Sequence, residues 1–304
     1  MGQLYKKLNY HYAHKFDKIP NICPLNVNFA HFMRFFIVIF SAVLLVSCGP
    51  GINKILKSKD PAYKLKMADE FYAKKKYTKA MQVYEDIIPY YKTQPQFQDL
   101  YYKYAYSAYN QKDYTNAENL FKTFLESFPN STKAEEIEFM RAFTFYKQAP
   151  KPELDPSNTY KAIGAFQTFI NTRPGSVRIS EANRLIDELR KRLEIKEFKA
   201  ARLYYDMGEF RAAGVTFSTL LENFPESNDA DQYKLWAIRS YFKYAEMSIA
   251  EKKAERYRQV VTESNDFIDR FPDSKLRGEV DKFISLSNTE IQKFSNNEQV
   301  KTTT

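Results

Sequence analysis

The residue types that most often carry catalysis are oddly placed along this chain. Its three histidines, His11, His14 and His31, and its two cysteines, Cys23 and Cys48, all fall within the first 48 positions. From Gly49 onward there is neither imidazole nor thiol. That stretch therefore holds no Ser-His or Cys-His couple, no disulfide and no His/Cys zinc site. Carboxylates are plentiful, as in Asp69-Glu70, Glu135-Glu136 and Asp229 with Asp231. In a chain that is 27% charged, such pairs read as solvated helix faces rather than a general acid/base couple. With only 8 Gly there is no Gly-rich phosphate loop. The expectation is a protein that is not an enzyme and uses no cofactor and no metal.

Charge adds little. Net charge is +9, from 46 basic and 37 acidic residues. The first 47 residues hold Lys6, Lys7, Lys15, Lys18 and Arg34 against Asp17, so without them 41 minus 36 leaves +5. A mixed solvated surface is expected, with no nucleic-acid partner.

The residue with assignable chemistry is Cys48. Arg34 precedes an apolar run, Phe35–Val46, of about a dozen residues, too short to span a bilayer, which needs about 20. A charged residue, a short apolar core and small Ser47 before the cut read as a secretory signal peptide over 33–47. Leu45-Val46-Ser47-Cys48 also resembles the bacterial lipobox, which implies that Cys48 becomes the lipidated first residue, carrying palmitate-type chains. At about 0.8 kcal/mol per buried methylene, several chains would hold the protein without a spanning helix. Residues 1–32 then read as an over-extended start absent from the mature protein, with Met33 as the working start. The spacer 48–60 carries Lys54, Lys57 and Lys59, and Gly49 follows Cys48 rather than Asp. By resemblance this places the protein in a Gram-negative bacterium, on the periplasmic face of the outer membrane.

What the anchor carries is read from periodicity. In Tyr101–Pro129, small Ala105 and Ala108 lie on one segment, Asp113-Tyr114 marks a turn, and Ala117, Phe121 and Phe124 follow at helical spacing. A lone helix pair cannot bury its apolar face, so the pattern must recur. Thirty-seven residues earlier stand Tyr77, Ala80, Tyr84 and Ile87. Later come Ala162, Phe166, Phe169 and Pro174, then Phe210, Ala213, Phe217, Leu220 and Pro225, then Val260, Ser264, Phe267 and Pro272. The recurrence resembles the tetratricopeptide repeat. It implies an all-α, right-handed solenoid of about five helix pairs plus a C-terminal capping helix. The helices predicted are 61–75, 77–91, 96–111, 113–127, 132–148, 157–172, 177–207, 209–223, 228–250, 253–270 and 274–294. Repeats one to three occupy 61–175, repeats four and five with the cap 176–294, and 295–304 is expected to be disordered. Pro150, Pro152 and Pro156 make 149–158 an exposed loop.

One stretch narrows the family. Arg192-Leu193, Lys196-Glu197, Ala201, Tyr204-Tyr205, Gly208, Phe210 and Ala212-Ala213 resemble the fourth repeat of the BamD family of outer-membrane assembly lipoproteins. Asp155, Ala162-Ile163, Phe166-Gln167 and Phe169-Ile170 resemble that family's third repeat. The resemblance implies a non-catalytic member of the β-barrel assembly machinery, the Bam complex. Its N-terminal repeats would receive unfolded outer-membrane barrel proteins, and its C-terminal repeats would dock to the BamA insertase.

Two surfaces follow as candidates. Tyr102, Tyr106 and Tyr109 share a helix stripe at i, i+4, i+7; a shift of 37 gives Phe139, Phe143 and Tyr146, and the reverse shift gives Leu65, Asp69 and Tyr72. An inward aromatic stripe edged by Asp69 suits an extended peptide with aromatic side chains, unless the repeats fill it themselves. Arg256, Arg258, Asp269, Arg270, Asp273 and Arg277 make charged faces suited to the docking partner, or simply a solvated cap. The alternative reading is another periplasmic repeat scaffold lipoprotein, serving cell-wall or pilus assembly. A glycan-binding lipoprotein would need a large non-repeat portion.

Overall fold

The computed structural model describes residues 51–302, with side chains through 294. The expectations for 1–32, the signal peptide 33–47 and Cys48 lie outside the described residues. The chain divides into two units, Met1–Lys57 and Ser58–Thr304. In the described part of the first unit, residues 52–56 form one short helix, α1 (Ile52–Leu56), within the spacer expected to be linker.

The second unit is all helix: α2 (Pro61–Ala73), α3 (Tyr77–Tyr91), α4 (Phe97–Asn110), α5 (Tyr114–Ser127), α6 (Ala134–Gln148), α7 (Ser157–Thr172), α8 (Ile179–Asp206), α9 (Phe210–Asn223), α10 (Ala230–Glu246), α11 (Ala250–Arg270) and α12 (Arg277–Thr302). Each packs on the next, and the first helices of neighbouring pairs also touch: α2 on α4, α6 on α8, α10 on α12. This is a tetratricopeptide-repeat solenoid of five pairs closed by α12. The last helix continues to Thr302, through most of the stretch expected to be disordered. Nothing between Ser295 and Thr302 is Gly or Pro, so no residue there stops the helix.

Small residues let the helices approach. Ala68, Ala105 and Ala142, 37 apart on the first helices, are fully buried, as are Ala80, Ala117, Ala162 and Ala213 on the second. Against them pack Tyr84 with Ile87, Phe121 with Phe124, Phe166 with Phe169, and Phe217 with Leu220. Burial of each such ring contributes about 2–3 kcal/mol. Helix α8 is 28 residues long, about 42 Å. Its Ala182, Leu185 and Leu189 join the core of repeat three, and its Phe198, Ala201 and Tyr205 that of repeat four.

Two kinds of turn define the two edges. Between the helices of a pair, Lys75, Lys112 and Gly208 are left-handed, at φ 56°, 64° and 82°. Between pairs recurs a Pro-x-Ser turn: Pro129-Asn130-Ser131, Pro174-Gly175-Ser176, Pro225-Glu226-Ser227 and Pro272-Asp273-Ser274. Each serine oxygen accepts from the amide two residues on, at 3.0–3.1 Å. Three of these serines also donate to a carboxylate on the preceding first helix: Ser176 to Glu135 at 2.6 Å, Ser227 to Glu194, and Ser274 to Asp231 at 2.6 Å. The serine closes one turn and ties it back to the repeat before.

Candidate functional site

The aromatic stripe starts on α4. Tyr101, Tyr104, Ala105 and Ala108 turn into the core, as their spacing predicts. Tyr102, Tyr106 and Tyr109 are half-buried beside them. Tyr102 and Tyr106 lie 4.6 Å apart between ring centroids, and Tyr106 and Tyr109 lie 6.3 Å apart. Tyr106 leans on core Phe121 at 5.3 Å. Tyr102 donates its hydroxyl to Glu136 Oε1 on α6 at 2.9 Å, and Tyr106 donates to the same oxygen. Burial, reinforced by the Glu136 carboxylate, pushes the Tyr102 phenol up to about 12 and that of Tyr106 further, so both remain protonated donors. Lys133 Nζ caps the Tyr102 ring at 4.1 Å and pairs with Asp99 at 2.9 Å.

The next repeat repeats the arrangement with a difference. Phe139, at the register place of Tyr102, is a core residue: it packs on Phe166 and Phe169, each at 5.5 Å, with Arg178 across its outer side at 4.9 Å. Lacking a hydroxyl, it has nothing to hold it outward. The stripe therefore loses Phe139 as a peptide contact. Phe143 and Tyr146 remain half-buried, stacked at 5.3 Å, with exposed Lys147 4.8 Å over Phe143. Tyr146 donates to Glu188 at 2.8 Å, and Arg192 lies 5.2 Å from its ring.

At the N-terminal end, Asp69 accepts from the Tyr84 hydroxyl at 2.6 Å and from Lys103 at 3.0 Å. Tyr72 meets Tyr77 edge-on at 5.7 Å. Leu65 and Asp69 line an open groove of about 760 Å³ with Lys66, Glu70, Gln94 and Gln96. The structure thus brings Asp69, Tyr72, Tyr102, Tyr106, Tyr109, Phe143 and Tyr146 onto three successive first helices. Their hydroxyls are largely taken up by bonds between repeats, so the remaining contact area is ring edge, lysine and the Leu65 groove.

The proposed docking residues are more scattered. Arg256 turns inward, donating to Ser248 Oγ with Tyr244 at 4.0 Å, so it braces the α10–α11 hairpin instead of facing a partner. Arg258, Asp269, Arg270, Asp273 and Arg277 are exposed. Arg270 lies 3.9 Å from Asp266, and Arg277 lies 3.5 Å from Asp281. Helical rise alone separates Arg258 from Arg270 by about 18 Å, so they form two patches.

The fourth-repeat signature turns out to be structural. Arg192 donates to Ala149 O at 3.2 Å, Lys196 to Pro152 O at 3.3 Å and Leu154 O at 2.9 Å, and Lys199 pairs with Glu153. The long helix thus holds the proline-rich loop. Glu194 was missed from sequence. It is buried and accepts from Tyr233 at 2.5 Å, from Ser227 and from Lys191 at 3.1 Å. Its only sequence signal is the Pro-x-Ser turn one repeat on. No group of three or more His, Cys, Asp or Glu among the described residues could hold a metal ion, and no described helix is long and apolar enough to cross a membrane.

Comparison with known proteins places this geometry. The TPR2AB-domain:pHSP90 complex of yeast Sti1 shares 12% identity, covering 75% of this chain and 98% of that one, at a TM-score of 0.37. The tetratricopeptide-repeat protein TTC0263 of Thermus thermophilus shares 14%, covering 74% and 99%, at 0.29. The yeast histone chaperone Hif1 shares 13%, covering 78% and 96%, at 0.26. Scores this low say nothing about ligands. The comparison with curated proteins finds no match. The family model described as YfiO, outer membrane lipoprotein, matches residues 57–231, more than half of the chain and all of α2 to α9. The chain belongs to the YfiO family of outer membrane lipoproteins.

Proposed function

We propose that this protein is a non-catalytic lipoprotein of the outer-membrane β-barrel assembly machinery. It is anchored through Cys48, receives unfolded barrel proteins on its N-terminal repeats, and docks to a BamA-like insertase through its C-terminal repeats. The observation that carries the reading is that the family match spans the three helices bearing the aromatic face. Ring edges of Tyr102, Tyr109, Phe143 and Tyr146 give large contact area with few rotors to freeze, and the Leu65 groove opens beside them. Exposed Lys147 over the Phe143 ring supplies positive charge for a terminal carboxylate. Arg258, Asp269, Arg270, Asp273 and Arg277 remain as the docking candidates.

The test is fluorescence anisotropy of a labelled, aromatic-ended peptide from the last strand of an outer-membrane barrel, titrated with the full chain in detergent. Tyr109→Ser and Lys147→Glu, both outside the deep core, should each weaken binding several-fold. Unchanged affinity in both would remove the peptide face.

A further inference from the structure

One edge of the repeat body is built by the turns inside each helix pair. In the first two pairs these are Lys74-Lys75-Lys76 and Gln111-Lys112-Asp113. They stand side by side: Thr78 donates to Gln111 Oε1 at 2.8 Å, and the Gln111 amide reaches Met81 Sδ at 3.2 Å. Lys75 and Lys112 hold the same place in the two turns, at φ 56° and 64°. Each turn is closed by a backbone bond across the helix end, Lys76 N to Phe71 O at 2.8 Å and Asp113 N to Ala108 O at 3.1 Å. Left-handed backbone favours Gly or Asn, and the fourth pair has Gly208 here. The first two pairs keep a lysine where the backbone is strained by one.

Lys75, Lys76 and Lys112 are exposed, and among the described residues none of them makes an ion pair or side-chain hydrogen bond. The acids beside them are engaged. Glu70 pairs with Lys74 at 3.2 Å, and Asp113 caps α5 by accepting from Asn116 N at 3.2 Å. Three exposed cations, set against the one carboxylate of Asp113, leave the two adjacent turns with a net charge of +2.

We infer that this edge rests on the anionic headgroups of a phospholipid bilayer. The inference depends on Cys48 being the lipid-bearing residue of the proposed function. From Cys48 to Asp60, which caps α2, is 12 residues, at most about 42 Å of chain. An anchored Cys48 therefore keeps the first pairs close to the headgroups. Stable attachment commonly combines a lipid with a basic patch, and such a patch acts only within a Debye length of the surface. The lipid sets the tether length, and the lysines decide which edge turns to the membrane.

The experiment is amine acetylation of the full-length protein, read lysine by lysine by mass spectrometry. It is run with vesicles of phosphatidylcholine alone or with added phosphatidylglycerol. Lys75, Lys76 and Lys112 should be labelled about fivefold more slowly on the anionic vesicles, the effect of one lysine near such a surface. The protection should vanish in 0.5 M salt. Exposed Lys161 and Lys275 serve as controls. Lys75→Asn combined with Lys112→Asn suits the backbone, so it should keep or raise thermal stability while lowering the preference for anionic vesicles about 25-fold. Equal labelling on both vesicle types, or an unchanged preference in the double variant, overturns the inference. So does protection by a polyglutamate peptide but not by vesicles, which would assign the edge to an acidic protein. Membrane release of Cys48→Ala reads the anchor separately, and peptide anisotropy reads the aromatic face separately.

Discussion

Glu194 is the most informative residue to remove. Its carboxylate is buried within the fourth repeat and accepts from Tyr233 at 2.5 Å, from Ser227 in the turn that starts the next pair, and from Lys191 at 3.1 Å. Hydrogen bonds to a buried charged group contribute about 1.5–3 kcal/mol each, whereas half-exposed Lys191 adds little. Glu194→Ala also leaves the buried Tyr233 hydroxyl without an acceptor. The loss should be about 3–5 kcal/mol, and Glu194→Gln, which keeps an acceptor, should lose about 1–2 kcal/mol. Urea denaturation followed by tryptophan fluorescence measures this locally, because the chain's single Trp, Trp236, lies on α10 with Tyr233. Acid gives a second reading. Burial alone would raise the Glu194 carboxyl, but donation by Ser227, Tyr233 and Lys191 outweighs it and holds the group below its ordinary 4.5. A carboxyl depressed in the fold stabilises fully above its ordinary value and loses that contribution as pH falls through the folded value. The stability gap between the native chain and Glu194→Gln should therefore close below about pH 4.5. A Glu194→Ala loss under about 1 kcal/mol, or a gap that persists in acid, would refute the reasoning.

Three other outcomes follow. Gly164→Ala, in a helix with open space around the new methyl, should gain about 0.5–1 kcal/mol, while Gly214→Ala, whose methyl would stand 2.7 Å from the Tyr241 ring, should lose about 1–3 kcal/mol; thermal denaturation separates them. Lys196→Ala removes both carbonyl contacts to the proline-rich loop, so limited proteolysis should cut between 149 and 156 faster, with the rest of the digest unchanged. Cys48→Ala should move the protein from the membrane to the soluble fraction on cell fractionation, and continued retention would count against the lipid anchor.

The fold was legible because its signals are local and repeated. Ala68, Ala105 and Ala142 recur at 37 residues, and the aromatic pairs of the second helices follow them, so the limits of the ten repeat helices are legible to within about four residues, whereas the closing helix runs to Thr302, well past the expected 294. What sequence could not give is which way a ring leans. Tyr102 and Phe139 share a register place, yet the hydroxyl of Tyr102 reaches Glu136 and keeps its ring outward, whereas Phe139 sinks between Phe166 and Phe169. Charge alone assigns Arg256 to the surface, and its contact with Ser248 across the hairpin turn is visible only in three dimensions. Nor does periodicity reveal that Arg192 and Lys196 bond to backbone carbonyls more than 40 residues away.

The central claim is that this family member passes barrel proteins to an insertase. Mild-detergent extraction of the lipidated protein, with mass spectrometry of its stoichiometric partners, tests that most directly. The account predicts a BamA-like insertase, lost when Arg270→Glu and Arg277→Glu are combined. Recovery of cell-wall or pilus assembly proteins instead, with no insertase, would contradict it.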